Sequence, residues 1–224
     1  IIITLQRTTT ISMNTNDVTV ISIRDRVFIS KQMSKVLRHK AHDYGLSIRN
    51  DGYMEGNVLL NWLKKKVRQP IKNLLTAGLI DSLVLQNKKQ RFHLLSDPDE
   101  DTWYIRANQG HSMVGICVDM REITYPSEIP NCIHGTYSRH LNAIMKTGLN
   151  RMNRQHIHMA ASVPGKNGVI SGMRNSCDTI IYVDVAKAMA LGIQFFISSN
   201  GVILSPGDAS GSIPASCFIR VEQR

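Results

Sequence analysis

The spacing of apolar residues changes character near residue 100. Before that point they recur at helical intervals. Ile29, Met33, Val36, Leu37 and Ala41 fall three or four apart, which predicts an amphipathic helix opened by Ser30, running to about Tyr44 and stopped by Gly45 in the left-handed region. Asn50-Asp51-Gly52 reads as a turn. A second helix is predicted from Asn57 through Val58, Leu59, Trp62 and Leu63. Its end carries Lys64-Lys65-Lys66-Val67-Arg68, where cations meet the negative end of the helix dipole. Pro70 suits the start of a third helix with Ile71, Leu74 and Leu75, ending near Gly78. Val84-Leu85 and Arg91-Phe92-His93-Leu94 then flank Asn87-Lys88-Lys89-Gln90 and read as a hairpin with a basic tip. Three short helices and a basic hairpin make a winged-helix-like order, a shape that serves nucleic-acid contact and also protein contact.

Asp97-Pro98-Asp99-Glu100-Asp101 is acidic and turn-rich and reads as a linker. After it, strands are expected at 102–107, 115–119, 156–160, 179–185, 194–198, 201–204 and 217–221. A helix from Ser138 to about Lys146, stopped by Gly148, interrupts them, and a short one covers Val185–Leu191. The expected class is α+β: an N-terminal extension over 1–28, a winged-helix-like lobe over 29–98, and a lobe built on a small β-sheet over 99–224.

Composition narrows the function. No apolar run approaches the roughly 20 residues of a membrane-spanning helix. Cys117, Cys132, Cys177 and Cys217 are scattered without a C-x-x-C pair, which speaks against a zinc or redox motif and for reduced thiols in an intracellular setting, cytoplasm or nucleus. The net charge of +10 predicts attraction to polyanions such as RNA. Residues 1–100 hold 16 Lys+Arg against 9 Asp+Glu, and the remainder 11 against 8, so the first half is the better candidate for a long nucleic acid. Residues 1–24 are rich in Ile, Thr and Ser. Met13 is a candidate start, or the segment is a disordered extension; the absence of acids before Asp17 also suits a transit peptide, although arginines are few for one.

Four clusters carry directional polar chemistry. Arg106-Ala107-Asn108-Gln109-Gly110-His111-Ser112 follows the apolar run Trp103-Tyr104-Ile105 and places a cation, two amides, a histidine and a hydroxyl at a strand end. As a bland alternative it is a polar turn. Arg38-His39 ends the first helix; adjacent helical residues point about 100° apart, so one faces away from the core, and Arg38 either snorkels or contacts phosphate. His134-Gly135-Thr136 offers a donor, a close backbone approach and a hydroxyl, or simply a turn into a helix. In Arg154-Gln155-His156-Ile157-His158 the histidines share one strand face, better suited to lining an anion pocket than to a metal, since no third ligand follows. Pro164-Gly165-Lys166-Asn167-Gly168 is only faintly like a phosphate loop, and neither a P-loop nor a Rossmann fingerprint is present.

Together with Asp51-Gly52-Tyr53, Lys89-Gln90-Arg91-Phe92, Ser171-Gly172-Met173-Arg174, Phe195-Phe196 and Asn200-Gly201-Val202-Ile203-Leu204, these clusters occur in an order that resembles the RNA 2′-phosphotransferase family (KptA-like enzymes) from about Ile29 to Phe218. The resemblance implies an RNA-binding winged-helix lobe and an NAD-binding lobe of the ADP-ribosyltransferase type. It implies transfer of an internal RNA 2′-phosphate, left at a tRNA splice junction, to NAD. The products would be 2′-hydroxyl RNA, nicotinamide and ADP-ribose 1″,2″-cyclic phosphate, formed through an ADP-ribosylated RNA intermediate. It implies catalytic roles for Arg38, His39, Arg106 and Arg154. NAD would lie against His134, Gly135 and Thr136, with His111 and Ser112 flanking its pyrophosphate or ribose, and no metal is required. The Lys88, Lys89, Arg91 wing and the Lys64–Lys66 run are expected to track RNA phosphates. The alternatives are an ADP-ribosyltransferase that caps nucleic-acid phosphate ends, and a non-catalytic RNA-binding module.

Overall fold

Ser22, rather than Ser30, caps the first helix. Its hydroxyl accepts the Asp25 N–H (3.2 Å), and α1 (Ile23–Lys35) runs through Ser30 without a break. The rod then widens into a π-helical stretch, Val36–Lys40, tightens into a 3₁₀ turn, His42–Tyr44, and stops at Gly45 with φ +63°, the left-handed stop that the sequence predicts. Ile29, Met33, Val36 and Leu37 are fully buried. The computed structural model describes residues 21–97, 102–163 and 171–224. The extension through residue 20, most of the acidic linker and Pro164-Gly165-Lys166-Asn167-Gly168 lie outside the described residues.

After the turn at Asn50-Asp51-Gly52 come β1 (Met54–Glu55), α2 (Gly56–Lys64) and the single turn α3 (Ile71–Leu74). Gly56 is required where it stands, because any Cβ there would overlap the Trp103 indole. The next element differs from the expected hairpin strand. Thr76 starts a new helix, α4 (Ala77–Leu85), by accepting the Leu79 N–H (3.2 Å), so Val84-Leu85 is the end of a helix and not a hairpin strand. The hairpin forms instead between β2 (Phe92–Asp97) and β3 (Thr102–Ala107), in register from Phe92↔Ala107 to Asp97↔Thr102. With β1 they form an antiparallel sheet ordered β1-β3-β2.

Ile29, Leu37, Leu59, Leu63, Ile80 and Ile105 pack in one apolar core, which Met113, Ile116 and Val118 also join. This explains a second difference. No strand forms at 115–119, because Ile116 and Val118 are drawn into that core and the Cys117 N–H is held by the Asn50 carbonyl (2.6 Å). The strand begins later, as β4 (Met120–Ile123).

The rest of the chain adds β5 (Ile133–Thr136), α5 (Ser138–Thr147), β6 (Leu149–Asn150), β7 (Ile157–Met159), β8 (Thr179–Val183), α6 (Val185–Ala190), β9 (Phe195–Ser198), β10 (Ile203–Ser205), β11 (Ser212–Ile213) and β12 (Phe218–Gln223). They build antiparallel sheets ordered β4-β9-β10-β7, β12-β8-β5 and β11-β6 around a second core centred on Phe195, Ile181 and Ile203. The fold is α+β. His134-Gly135-Thr136 is strand rather than turn. Gly135 pairs with Ile180, where a Cβ would overlap the Met173 side chain and sit 2.8 Å from Cys177 Sγ. Among the described residues no helix is long and apolar enough to cross a membrane.

Candidate active site

The π-helical stretch of the first rod and the end of β3 bring the polar clusters together. A π turn inserts a residue into an α-helical rod and recurs at functional sites. Here it carries Arg38 and His39. The Ser112 N–H donates to the Arg38 carbonyl (2.9 Å), and the Ser112 hydroxyl lies 2.9 Å from His39 Nδ1. Gly110, at φ +92°, lets Arg38 and His158 crowd its backbone: a Cβ there would stand 3.5 Å from Arg38 Nε and from His158 Nε2.

On β3, Arg106 is 8% exposed. Its guanidinium stacks on the Tyr53 ring at 4.7 Å, and Nη1 donates to the Asp51 carbonyl (3.3 Å). Tyr53 is in turn fixed by His93, whose Nδ1 is 2.6 Å from the phenol. Asn108 donates to the Gln90 carbonyl (2.7 Å). Gln109 accepts from His158 Nε2 (2.7 Å), which leaves the His158 Nδ1 lone pair facing Arg154 Nη1 (3.4 Å). His134 Nδ1 donates to the His158 carbonyl (2.9 Å).

Buried polar atoms are nearly always hydrogen-bonded. Among the described residues five are not, and all sit here: Arg38 Nε and Nη2, Arg106 Nε, Asn108 Oδ1 and His111 Nε2. Three of them are guanidinium donors. Unpartnered cationic donors out of water are costly, and an anion bound between them would remove that cost.

The titration directions agree. Burial, then the fields of Arg154 and Arg91, lower Arg38 to about 10. Burial, then Arg38, His39, Arg106 and His156, lower His111 to about 3. His111 therefore lies within the fields of both guanidinium clusters and is neutral. His39 is lowered by burial and then by Arg154, Arg38 and Lys40. Burial dominates the lowering of His134, and of His158, which Arg154 and Arg38 push down further. The site is an electropositive pocket whose histidines are held uncharged.

Beside it opens a cleft of about 810 Å³, which His39, Ser112, His134, Thr136, Arg154 and Arg174 help to line. His156 and His158 also face it. Of the residues expected from sequence, Arg38 is half-buried and Arg106 and His111 are buried, none of the three lining this cleft, and Gly135 is turned toward Met173. Two residues of the basic wing make contacts within the protein, while Lys88 is exposed. Lys89 Nζ donates to the Met173 carbonyl (3.1 Å), its own carbonyl accepts from Asn200 Nδ2 (3.0 Å), and Arg91 is half-buried beside Asn87.

Sequence reasoning did not assign Lys40, Arg151, Asn153 or Arg174, all of which line the cleft, nor the Tyr53–His93 support beneath Arg106. A signal for the last was available. His93 and Arg106 are direct cross-strand partners once β2 is paired with β3.

The sequence model described as RNA 2′-phosphotransferase, Tpt1 / KptA family matches residues 24–207. The chain is similar to tRNA 2′-phosphotransferase 1 of Danio rerio, 44% identical over 203 residues, covering 88% of this chain and 85% of the relative. It is similar to tRNA 2′-phosphotransferase 1 of Homo sapiens at 39% over 194 residues, 86% and 74% of the two chains. For the tRNA 2′-phosphotransferase of Saccharomyces cerevisiae the figures are 33% over 201 residues, 87% and 83%.

Proposed function

This chain belongs to the RNA 2′-phosphotransferase, Tpt1 / KptA family, and from that premise we propose that it transfers the splice-junction 2′-phosphate of tRNA to NAD. It is a transferase acting on an RNA 2′-phosphate. The observation that carries the reading is the set of unpartnered buried donors on Arg38 and Arg106, which suits the binding of a phosphate.

The residues also fit NAD. The cleft is of cofactor size, and the cations Arg154 and Arg174 stand on its wall, where a pyrophosphate would meet them. NAD supplies an electrophilic ribose carbon with nicotinamide as its leaving group. Ser112, His134 and Thr136 would orient the ribose, while His111 buttresses the wall from behind.

The main obstacle to the first step is electrostatic, since an RNA phosphate must approach an anionic co-substrate. Arg38, Arg106 and Arg154 offset that repulsion with charge-assisted, fork-like hydrogen bonds. No base is needed to create the nucleophile, because the phosphate is already ionised. The second step, attack of a ribose hydroxyl on phosphorus with loss of the RNA 2′-oxygen, requires a proton to leave one oxygen and reach another. His39 is suited to both transfers, held by Ser112 at Nδ1 and left with Nε2 as the working nitrogen. Its lowered basicity keeps it neutral at pH 7 in the free protein, and a bound phosphate would offset the neighbouring guanidinium fields.

We further infer two lobes, an RNA-binding winged-helix lobe built on the first core followed by an ADP-ribosyltransferase-type lobe that holds the second, with the division falling between Val118 and Ile123.

The test is turnover. A short RNA carrying an internal 2′-phosphate, incubated with NAD, should give 2′-hydroxyl RNA and nicotinamide in equal amounts, and nothing without NAD. Consumption of NAD with the phosphate left on the RNA would overturn this reading.

A further inference from the structure

The outer face of α1 carries chemistry that the cleft does not use. Ile29, Met33 and Val36 define its buried side. At 100° per residue, Arg24, Phe28, Lys31 and Lys35 fall on one stripe on the opposite side, and that stripe continues to His39 at the cleft. Arg24, Lys31 and Lys35 are exposed, and Phe28 is 41% exposed. Among the described residues, none of these three cations has an ion-pair partner. Asp25, next to Arg24 in the chain, accepts from the Ser22 hydroxyl (2.5 Å).

The end of α2 widens the stripe. Tyr44 and Trp62 lie ring to ring at 5.2 Å. Lys35 and Lys66 stand over Tyr44 at 5.8 and 5.6 Å, and Lys66 over Trp62 at 5.3 Å. Arg24, Phe28, Lys66, Val67, Arg68 and Ile71 line a groove of about 240 Å³ with an apolar floor and a cationic rim, Asp25 being its one acid. Lys66 and Arg68 also have no ion-pair partner among the described residues.

We propose that this stripe is the path of the RNA strand leading away from the reacting phosphate, with Lys31, Lys35, Lys66 and Arg68 on successive phosphates and Phe28 offering its face to a base. Cations along a track interleaved with aromatic faces are what a single strand needs for binding without sequence preference. Continuity with His39 favours the substrate strand over an acidic protein partner. The proposal rests on the RNA reading of the cleft.

The experiment uses the whole chain carrying K31Q, K35Q and K66Q together, with two RNAs bearing the same 2′-phosphate. One is a dinucleotide. The other is a single strand extending about 20 Å past the junction, the length of α1. Neutralising three phosphate contacts should raise KM for the long RNA about tenfold and make its salt dependence shallower by about 2 logarithmic units per decade, while the dinucleotide, which ends short of the track, is turned over within about twofold of the unaltered protein. Unchanged KM for the long RNA, or an equal loss on both substrates, overturns the track. If the unaltered protein turns over neither RNA, the reading of the cleft itself fails, and the track fails with it.

Discussion

The imidazole of His39 and the hydroxyl of Ser112, 73 positions apart in the chain, meet at 2.9 Å. The contact joins the end of the first helical rod to the loop after β3, and a backbone hydrogen bond from Ser112 to the Arg38 carbonyl doubles it. A general acid–base needs both a held ring and a defined tautomer. Ser112→Ala should therefore cost about fivefold in turnover with the fold intact, since one neutral hydrogen bond is worth about 1 kcal/mol. His39→Ala should cost far more, and should leave ADP-ribosylated RNA to accumulate because only the second step needs proton transfer. Single-turnover assays resolving the two steps decide this; equal slowing of both by His39→Ala would assign His39 to binding.

Tyr53 holds Arg106 through its ring at 4.7 Å. Tyr53→Phe keeps the ring and should change turnover by less than about threefold. Tyr53→Leu removes a desolvated cation–π contact of about 2 kcal/mol and should lower kcat more than tenfold. Arg106→Lys, which keeps the charge and loses the fork, should cost roughly 10²-fold. Steady-state kinetics on a 2′-phosphorylated oligonucleotide measure all three.

Stability should fall with acid before any carboxylate titrates. His111 has a folded value of about 3 against an ordinary 6.5, so between these pH values the unfolded chain binds a proton that the folded chain excludes. Stability is thus lost as pH drops below 6.5, at about 1.4 kcal/mol per pH unit for each such histidine. His134 and His158 shift in the same direction and add to it. Urea unfolding at pH 7 and pH 5 should show the lower midpoint at pH 5, and His111→Gln should reduce the difference. Equal midpoints would contradict the burial argument.

Gly135→Ala tests the strand that replaces the expected turn. The added methyl meets Met173 and Cys177 inside a packed layer, so a loss of about 1–3 kcal/mol is expected. The same change at Gly201, where a Cβ meets nothing, costs only the strain of its left-handed φ of +73°. Thermal melts of the two variants should rank them in that order.

Helical periodicity exposes the first rod and α2, and the apolar runs at 179–185, 194–198 and 201–204 expose β8, β9 and β10. Val84-Leu85 resembles a strand only if Gly78 ends the preceding helix; Thr76, two residues before it, is the stronger signal, a cap that opens a new one. The strand at 115–119 was misplaced because apolar residues claimed by the first core look, in one dimension, like those of a sheet. The polar clusters were legible because so many directional groups at a strand end have little structural use. Their arrangement was not. That Arg38 and Arg106 do not line the cleft, and that Lys89 is spent on Met173 and Asn200, depends on pairings between residues far apart in the chain.

The central claim is that Arg38 and Arg106 address a single phosphate with the nitrogens that have no partner among the described residues. A crystal structure with a 2′-phosphorylated dinucleotide, grown without NAD, tests it most directly. The account predicts phosphate oxygens about 2.7–3.2 Å from Arg38 Nε or Nη2 and from Arg106 Nε. A phosphate seated elsewhere, with those nitrogens bonded only to water, would contradict it.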